Sequence, residues 1–263
     1  MSAPLLELSA VCYVYSGGGL LGRRRVRAVD RVSLAIDADR PEVFAIIGES
    51  GSGKTTLARM ILNIVPPTDG IIRFRGAELS HGWGRRERLA FMRQVQPIFQ
   101  NPFEAFNPLK RVDRYLFMTA RRFSGGEPQQ QVETALRQVG LSLTEVQRRY
   151  PHELSGGQLQ RIAIARALIS RPALIVADEP VSMVDASLRM SIVNLFGHLR
   201  DALRVSIIYI THDLATAYTI SDRIAIMRAG SVVEAGAARA VLDNPQHPYS
   251  QLLKSAVLTI EPV

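Results

Sequence analysis

The chain has 263 residues, of which 47% are hydrophobic and 21% charged, and its formal net charge is +8. This composition argues against disorder and predicts one large domain or two closely joined lobes. No run approaches the roughly 18 apolar residues that span a bilayer, and the N-terminus lacks the pattern of a secretory signal. The single cysteine, Cys12, excludes an internal disulfide and is interpreted as a small apolar side chain in a strand. We therefore expect a cytoplasmic protein.

The first part of the chain, residues 5–36, is predicted to form short β-strands that contain Tyr13 and Tyr15 and are interrupted by a glycine-rich loop. Four arginines follow that loop: Arg23, Arg24, Arg25 and Arg27. The cluster is typical of a solvated loop, and contact with lipid headgroups or a partner is the alternative. A net positive charge of this size can indicate binding to nucleic acid, binding to anionic lipid headgroups, or simply solubility.

A buried strand over Val43–Ile47 is predicted to lead through a glycine-rich turn into a helix over residues 54–65. Residues 48–55 fit G-x-x-x-x-G-K-[ST], the motif of a phosphate-binding loop. Glycines let backbone N–H groups surround phosphates, and the helix N-terminus adds partial positive charge. Lys54 is expected to bind the β- and γ-phosphates, and Thr55 to ligate Mg²⁺. The full nucleotide-binding set is Gly48, Glu49, Ser50, Gly51, Ser52, Gly53, Lys54, Thr55 and, for the α-phosphate, Thr56.

Residues 85–149 are rich in arginine, glutamine and amphipathic stretches, which predicts a mostly helical lobe inserted in an α/β core. A helix over residues 155–170, a strand over 173–177, an amphipathic helix and a strand over 206–210 are predicted to follow. The apolar face of that amphipathic helix comprises Leu188, Ile192, Leu195, Phe196, Leu199 and Leu203. Alternating strands and helices predict a mostly parallel sheet covered on both sides.

Two carboxylates, Asp178 and Glu179, follow the apolar strand directly. Such a position lies at the carboxyl edge of a parallel sheet, where ligands bind. Asp178 is expected to hold Mg²⁺ through water, and Glu179 to orient or deprotonate an attacking water. Adjacent acids after a strand often form only a solvated turn, but the upstream phosphate loop and Pro180 favour the catalytic interpretation.

A serine followed by two glycines, in residues 154–158, opens the next apolar helix and is both an N-cap and an anion site. With one helix between it and Asp178, this segment matches the ABC signature, and the whole chain resembles an ABC transporter ATPase. The resemblance implies an α/β P-loop NTPase (RecA-like) fold with a mostly parallel core, an antiparallel N-terminal β subdomain and an inserted helical subdomain. It places one ABC ATPase domain over residues 1–263: the β subdomain and phosphate loop in 1–84, the helical lobe in 85–154, further core in 155–243, and a short tail in 244–263.

The resemblance also implies roles for residues outside the phosphate loop. The family forms a head-to-tail dimer, in which the signature of one subunit acts on the ATP of its partner; the signature residues here are Ser155, Gly156, Gly157 and Gln158. Tyr15 matches the aromatic residue that stacks on adenine, although Tyr13 and a purely structural tyrosine are alternatives. Gln100 matches the glutamine that reaches Mg²⁺ and the attacking water. His212 matches the histidine that contacts the γ-phosphate. Asp185 matches the residue that makes contacts with the partner subunit, although the neighbouring residues 183–184 depart from the usual pattern.

Two segments, residues 98–108 and 244–250, resemble the ATPases of dipeptide, oligopeptide and nickel importers. The implied function is the ATP-hydrolysing subunit of an importer for di- or oligopeptides, with nickel or a nickel chelate as the alternative. Implied partners are a second, different ATPase, two transmembrane permease subunits that contact residues 101–114, and a periplasmic or lipid-anchored solute-binding protein. The implied location is the cytoplasmic face of a bacterial inner membrane, and the implied cofactors are ATP and Mg²⁺. The tail lacks cysteine, so we expect no iron–sulfur cluster.

Two other classes remain as alternatives. A soluble ABC ATPase that acts on nucleic acid or ribosomes is favoured only by the basic charge, and the second ATPase core or long coiled coil of such proteins is lacking. A nucleotide-dependent scaffold without hydrolysis is the other. We therefore expect no nucleic-acid partner.

Overall fold

The computed structural model describes residues 3–19, 22–80, 82–123 and 125–258. The chain divides into two compact units. We call Met1–Trp83 together with Ser206–Val263 the discontinuous unit, and Gly84–Val205 the central unit. Within the described ranges, no helix combines the length and the hydrophobicity that crossing a bilayer requires.

Strands and helices alternate along most of the chain. In chain order they are β1 (Leu6–Gly19), β2 (Gly22–Ile36), β3 (Val43–Ile47), α1 (Lys54–Ile61), β4 (Asp69–Phe74), β5 (Ala77–Glu78), α2 (Arg85–Gln94), β6 (Val95–Ile98), α3 (Val112–Phe123), α4 (Pro128–Gln138), α5 (Leu143–Val146), α6 (Gly156–Ile169), β7 (Leu174–Asp178), α7 (Ala186–Leu203), β8 (Ser206–Thr211), α8 (Leu214–Ile220), β9 (Arg223–Arg228), β10 (Ser231–Ala237), α9 (Ala238–Asp243) and α10 (Pro248–Leu258). Two short 3₁₀ helices, Pro102–Ala105 and Pro151–Glu153, lie in the central unit.

An antiparallel sheet of four strands, in the order β2-β1-β4-β5, forms the N-terminal part of the discontinuous unit. Cys12 is buried in β1, as predicted, and its sulfur accepts a hydrogen bond from the backbone N–H of Arg31 at 3.2 Å. Of the arginine cluster, Arg27 pairs with Asp30 at 2.9 Å, whereas the side chains of Arg23 and Arg24 lie outside the described residues.

The core strands of the discontinuous unit centre on β3, which pairs in parallel with β8 on one side and β9 on the other. Every residue of β3 and of β8 is buried. Continuous apolar runs of this kind are typical of parallel strands that are covered on both faces. Strand β10 extends the group by pairing antiparallel to β9.

In the central unit, β6 and β7 pair in parallel, and most residues of α6 are buried. The half-buried Arg166 on α6 donates from its guanidinium to the carbonyl oxygen of Ala105 at 3.0 Å. It also lies over the rings of Phe106 and Tyr115. Burial lowers the pKa of Arg166, because the charged form loses hydration.

The predicted α/β P-loop NTPase fold, with an antiparallel N-terminal sheet and a mostly parallel core, is confirmed. Several local predictions need correction. The glycine-rich segment 16–19, predicted as a loop, belongs to strand β1, and the arginines that follow it lie on strand β2 instead of in a solvated loop. Helix α1 ends at Ile61 instead of residue 65, and Asn63 adopts the left-handed backbone conformation. The lobe predicted as mostly helical also contains the short strand β6, which was not predicted. Leu188 was expected on the buried face of α7 but is 38% exposed.

Candidate nucleotide-binding site

The phosphate loop, residues 48–55, links the carboxyl end of β3 to the start of α1 at Lys54. Two of its glycines are required by close backbone approach. A Cβ atom on Gly48 would come closer than 3.0 Å to the carbonyl oxygen of Met227, and one on Gly53 would do the same with Ala28. Gly53 also has a φ of +102°, which L side chains rarely adopt. The loop therefore lies directly on neighbouring backbone, which fixes its shape.

Lys54 lies inside this loop and is only 6% exposed. Its ammonium donates to the carbonyl oxygens of Gly48 and Glu49 at 2.6 and 2.8 Å. The hydroxyl of Ser52 accepts a longer hydrogen bond from it at 3.4 Å. A positive charge is therefore held within the curve of a glycine-rich loop at a helix N-terminus, and this is an arrangement that binds phosphates.

Tyr15 lies beside the same loop. Its hydroxyl and that of Thr56 share a hydrogen bond of 3.2 Å, in which either oxygen can donate. Its ring packs edge-on against Tyr13, with 4.8 Å between centroids, and 41% of the residue is exposed. An exposed aromatic face next to the phosphate loop is available for a base, which fits the expected adenine contact. Thr55 is also exposed, so its hydroxyl is accessible to a ligand.

The acidic pair lies in the central unit at the end of β7. Glu179 has a φ of +47°, an uncommon conformation for a residue with a side chain. Its carbonyl oxygen accepts hydrogen bonds from the N–H and the hydroxyl of Ser182, at 3.2 and 3.0 Å. The amide of Gln100 donates to its carboxylate at 3.5 Å, at the long end of the hydrogen-bond range. The structure thus brings together two predicted site residues that are far apart in sequence.

The signature residues begin α6. Ser155 caps the helix by accepting from the N–H of Gln158 at 3.2 Å, and the Gln158 side chain accepts from the N–H of Ser155 at 3.0 Å. A Cβ atom on Gly156 would lie 3.2 Å from the carbonyl oxygen of Met183, and one on Gly157 would lie 3.0 Å from Leu188. Sequence reasoning missed this close packing of the signature glycines against residues 183–188, the segment that contains Asp185.

The two remaining predicted residues are both exposed. Asp185 immediately precedes α7, and its side chain makes no capping hydrogen bond. His212 follows β8 and precedes Asp213, whose carboxylate accepts from the N–H groups of Ala215 and Thr216 at 2.9 and 3.2 Å. This cap fixes the turn on which His212 lies.

The predicted magnesium ligands are a hydroxyl, an amide and a carboxylate, from Thr55, Gln100 and Asp178. Among the residues that the structure describes, no group of three or more His, Cys, Asp or Glu side chains could hold a metal ion. Hard oxygen donors in small number suit Mg²⁺, which keeps waters and completes its coordination with substrate phosphates. Each of these three side chains therefore offers an oxygen of the kind that Mg²⁺ prefers.

One contact to the phosphate loop was not anticipated from the sequence. The hydroxyl of Tyr249, on α10, accepts a hydrogen bond from the backbone N–H of Glu49 at 3.1 Å. Tyr249 lies in residues 244–250, a segment whose sequence indicates the subfamily but not a contact with the phosphate loop. Because the two residues are far apart along the chain, no local sequence pattern reveals the contact.

The chain has a phosphate loop between a buried parallel strand and a helix, and an acidic pair after another core strand. Together these features define the class of P-loop nucleotide-hydrolysing proteins. The family model described as ABC transporter matches residues 29–182. The oligopeptide transport ATP-binding protein AppF of Bacillus subtilis is 40% identical over 259 residues, which cover 96% of this chain and 78% of that protein. The di/tripeptide transport ATP-binding protein DppF of Pseudomonas aeruginosa is 38% identical over 253 residues, covering 95% of this chain and 77% of that protein. The chain belongs to the ABC transporter family and contains its ATPase domain.

Solved structures agree with this assignment. The structure of cbiO1 from Clostridium perfringens, part of the ABC transporter complex cbiONQ, matches with a TM-score of 0.79 and 25% identity, covering 98% of this chain and 96% of that one. The dimeric structure of the ATP-binding cassette MJ0796 bound to ADP and Pi matches with a TM-score of 0.77 and 26% identity, covering 89% and 99%.

Proposed function

We propose that this chain is the ATP-hydrolysing subunit of an importer for di- or oligopeptides. The observation that supports hydrolysis most directly is the Gln100 to Glu179 contact at the end of β7. The relatives are named as di/tripeptide and oligopeptide transport proteins. These names favour peptides as the transported substrate over nickel or a nickel chelate, the alternative that the sequence left open.

In this proposal the phosphate loop binds the β- and γ-phosphates through its N–H groups and Lys54. Thr55, Gln100 and Asp178 contribute to holding Mg²⁺, which supplies charge neutralisation on the phosphate oxygens. Glu179 orients the attacking water and accepts its proton, and Gln100 positions that carboxylate. His212 contacts the γ-phosphate, and Tyr15 stacks on adenine.

We further infer that the active form is a dimer with a second ATPase subunit, in which Ser155, Gly157 and Asp185 act at the partner's nucleotide. The close packing of the signature glycines against residues 183–188 supports this inference, because it places the signature next to the segment that contains Asp185. Two permease subunits at a membrane and a solute-binding protein complete the proposed assembly.

Replacing Glu179 with Gln tests the hydrolytic role. The variant keeps the shape and the phosphate-binding charges, so ATP affinity should stay within about 2-fold, whereas turnover should fall by about 10²–10⁴-fold, the usual contribution of a general base. Both are measured on the transporter complex purified in detergent, by nucleotide titration and phosphate release. The matched control is Glu133→Gln on α4, which should keep full activity. Unchanged turnover in Glu179→Gln would refute the role assigned to this carboxylate.

Co-purification tests the transporter role. The Glu179→Gln chain, held with ATP and isolated from solubilised membranes, should bring down two permease subunits and a second ATPase, identified by mass spectrometry. Addition of a peptide-loaded binding protein should then stimulate the wild-type ATPase in vesicles. Recovery of ribosomes or nucleic acid without permeases contradicts the proposal.

A further inference from the structure

Helix α10 forms a hydrogen bond with the backbone of the phosphate loop. Tyr249, the second residue of α10, accepts a hydrogen bond from the N–H of Glu49 at 3.1 Å. That N–H belongs to the same peptide group as the carbonyl oxygen of Gly48, which accepts from the Lys54 ammonium at 2.6 Å. In a trans peptide, the N–H and the C=O point in opposite directions. Tyr249 and Lys54 therefore bind the two ends of one peptide group.

The ring of Tyr249 is fixed in place. The residue is 5% exposed and belongs to a buried cluster with Ala45 and Ile47 of β3, the strand that leads into the loop. The guanidinium of Arg228 lies 4.9 Å from the ring centroid, a distance at which cation–π attraction operates. Packing in the cluster and the contact with Arg228 thus both position the ring that carries the hydroxyl.

The turn before α10 is fixed as well. The carboxylate of Glu234, on β10, accepts from the backbone N–H groups of Gln246 and His247 at 2.8 and 3.0 Å. The ring of His247 accepts from the N–H of Tyr249 at 3.1 Å. Burial acts to raise the pKa of Glu234, but hydrogen bonds from Gln246, Ser250 and His247 outweigh it and lower that pKa. The carboxylate therefore remains charged and keeps Tyr249 in place.

We propose that Tyr249 is a positioning residue for ATP binding. Its hydroxyl fixes the orientation of the Gly48–Glu49 peptide group, and thereby the carbonyl oxygen that aims the Lys54 ammonium into the loop. The carboxy-terminal helix then sets the affinity of the phosphate loop for ATP without touching the nucleotide. This inference rests on the proposed role of Lys54 and adds a residue to it.

Removal of the hydroxyl alone tests the proposal. Tyr249→Phe keeps the ring, its packing and the Arg228 contact, and it removes one hydrogen bond. We expect the Kd and the KM for ATP to rise about 3- to 10-fold, the range that one net hydrogen bond supplies. The kcat should stay within 2-fold, because Glu179 is unaffected. Amide hydrogen exchange at Glu49 should become faster. Faster exchange at Glu49 shows only that the hydrogen bond is lost; a purely structural role does not predict the selective rise in KM.

The chain offers a matched control in Tyr218, whose hydroxyl accepts from Arg239 at 3.3 Å while the same guanidinium lies over its ring at 5.1 Å. Tyr218→Phe removes a similar bond that does not involve the phosphate loop, so ATP binding should not change. Equal effects of the two variants, or no effect of Tyr249→Phe on ATP affinity, would overturn the proposal.

Two further variants distinguish a failure of the Tyr249 inference from a failure of the proposed role of the phosphate loop. Lys54→Ala should weaken ATP binding strongly; if it does not, the role of the phosphate loop fails and the Tyr249 inference with it. If Lys54→Ala weakens binding and Tyr249→Phe does not, only the Tyr249 inference fails. Should Tyr249→Phe not fold, Glu234→Gln loosens the turn that holds Tyr249 and should raise the Kd in the same direction; an unchanged Kd then contradicts the proposal.

Discussion

The steric requirement at Gly53 can be tested by a pair of substitutions within one loop. Gly53 has a φ of +102°, and a Cβ atom there would come closer than 3.0 Å to the carbonyl oxygen of Ala28 and 3.5 Å from Gly230. Gly51 also has a positive φ, +81°, but nothing lies within 4 Å of its Cβ position. Gly53→Ala therefore combines backbone strain with a clash, whereas Gly51→Ala has the strain alone.

The expected magnitudes differ accordingly. Backbone strain of this kind costs about 1–3 kcal/mol, and forcing an extra carbon against fixed backbone adds about 1–3 kcal/mol. Gly53→Ala should thus lower the free energy of unfolding by about 2–6 kcal/mol, and Gly51→Ala by about 1–3 kcal/mol. At roughly 2–4 °C per kcal/mol for a chain of this size, Gly53→Ala should lower the Tm by at least about 4 °C.

The assay is thermal and urea unfolding of the nucleotide-free chain, followed by circular dichroism, for wild type and both variants under one buffer condition. Omitting nucleotide separates stability from any change in binding, because a ligand stabilises the folded state by mass action. Equal losses for the two alanine variants would refute the clash with Ala28, since a Cβ atom on Gly51 would contact nothing.

Two further predictions concern stability. Arg166→Met leaves the carbonyl oxygen of Ala105 without its 3.0 Å donor and should lower the free energy of unfolding by about 1–3 kcal/mol in urea titrations. Arg121→Met, an exposed change in the same unit, should cost little, and similar losses for both variants would contradict the role of the Arg166 guanidinium. The pKa of Glu234 is lowered on folding, so its contribution to stability is present above the unfolded pKa of about 4.3 and is lost as pH falls through the folded value. Wild type should therefore exceed Glu234→Gln in stability above pH 5, and the difference should shrink below pH 4; a pH-independent difference argues against the assignment.

The parts of the molecule that could be predicted from sequence are those encoded locally. The β3 run is continuous, apolar and followed at once by glycines, so its limits of Val43 and Ile47 were predicted correctly. The signature begins a helix because Ser155 is a good cap, and the structure shows the capping box. Such features depend on neighbours within a few residues, where spacing is informative.

The features that sequence reasoning missed depend on distant contacts. Apolar residues continue past Ile61, which predicted a longer α1, but the chain turns at Asn63 in the left-handed conformation. Strand β6 is only four residues long, contains Pro97 and exists because it pairs with β7. The Tyr249 contact joins residues 200 positions apart along the chain. None of these leaves a periodic pattern in the sequence.

The backbone of Glu179 has a consequence for protein engineering. At a φ of +47°, a glycine or an asparagine would fit with less steric cost than glutamate. A library selected only for thermal stability should therefore enrich substitutions at position 179, and those substitutions remove the carboxylate proposed to activate water. Stabilised variants of this chain should be selected with position 179 held constant, because here greater stability and loss of hydrolysis are expected to arise from the same change.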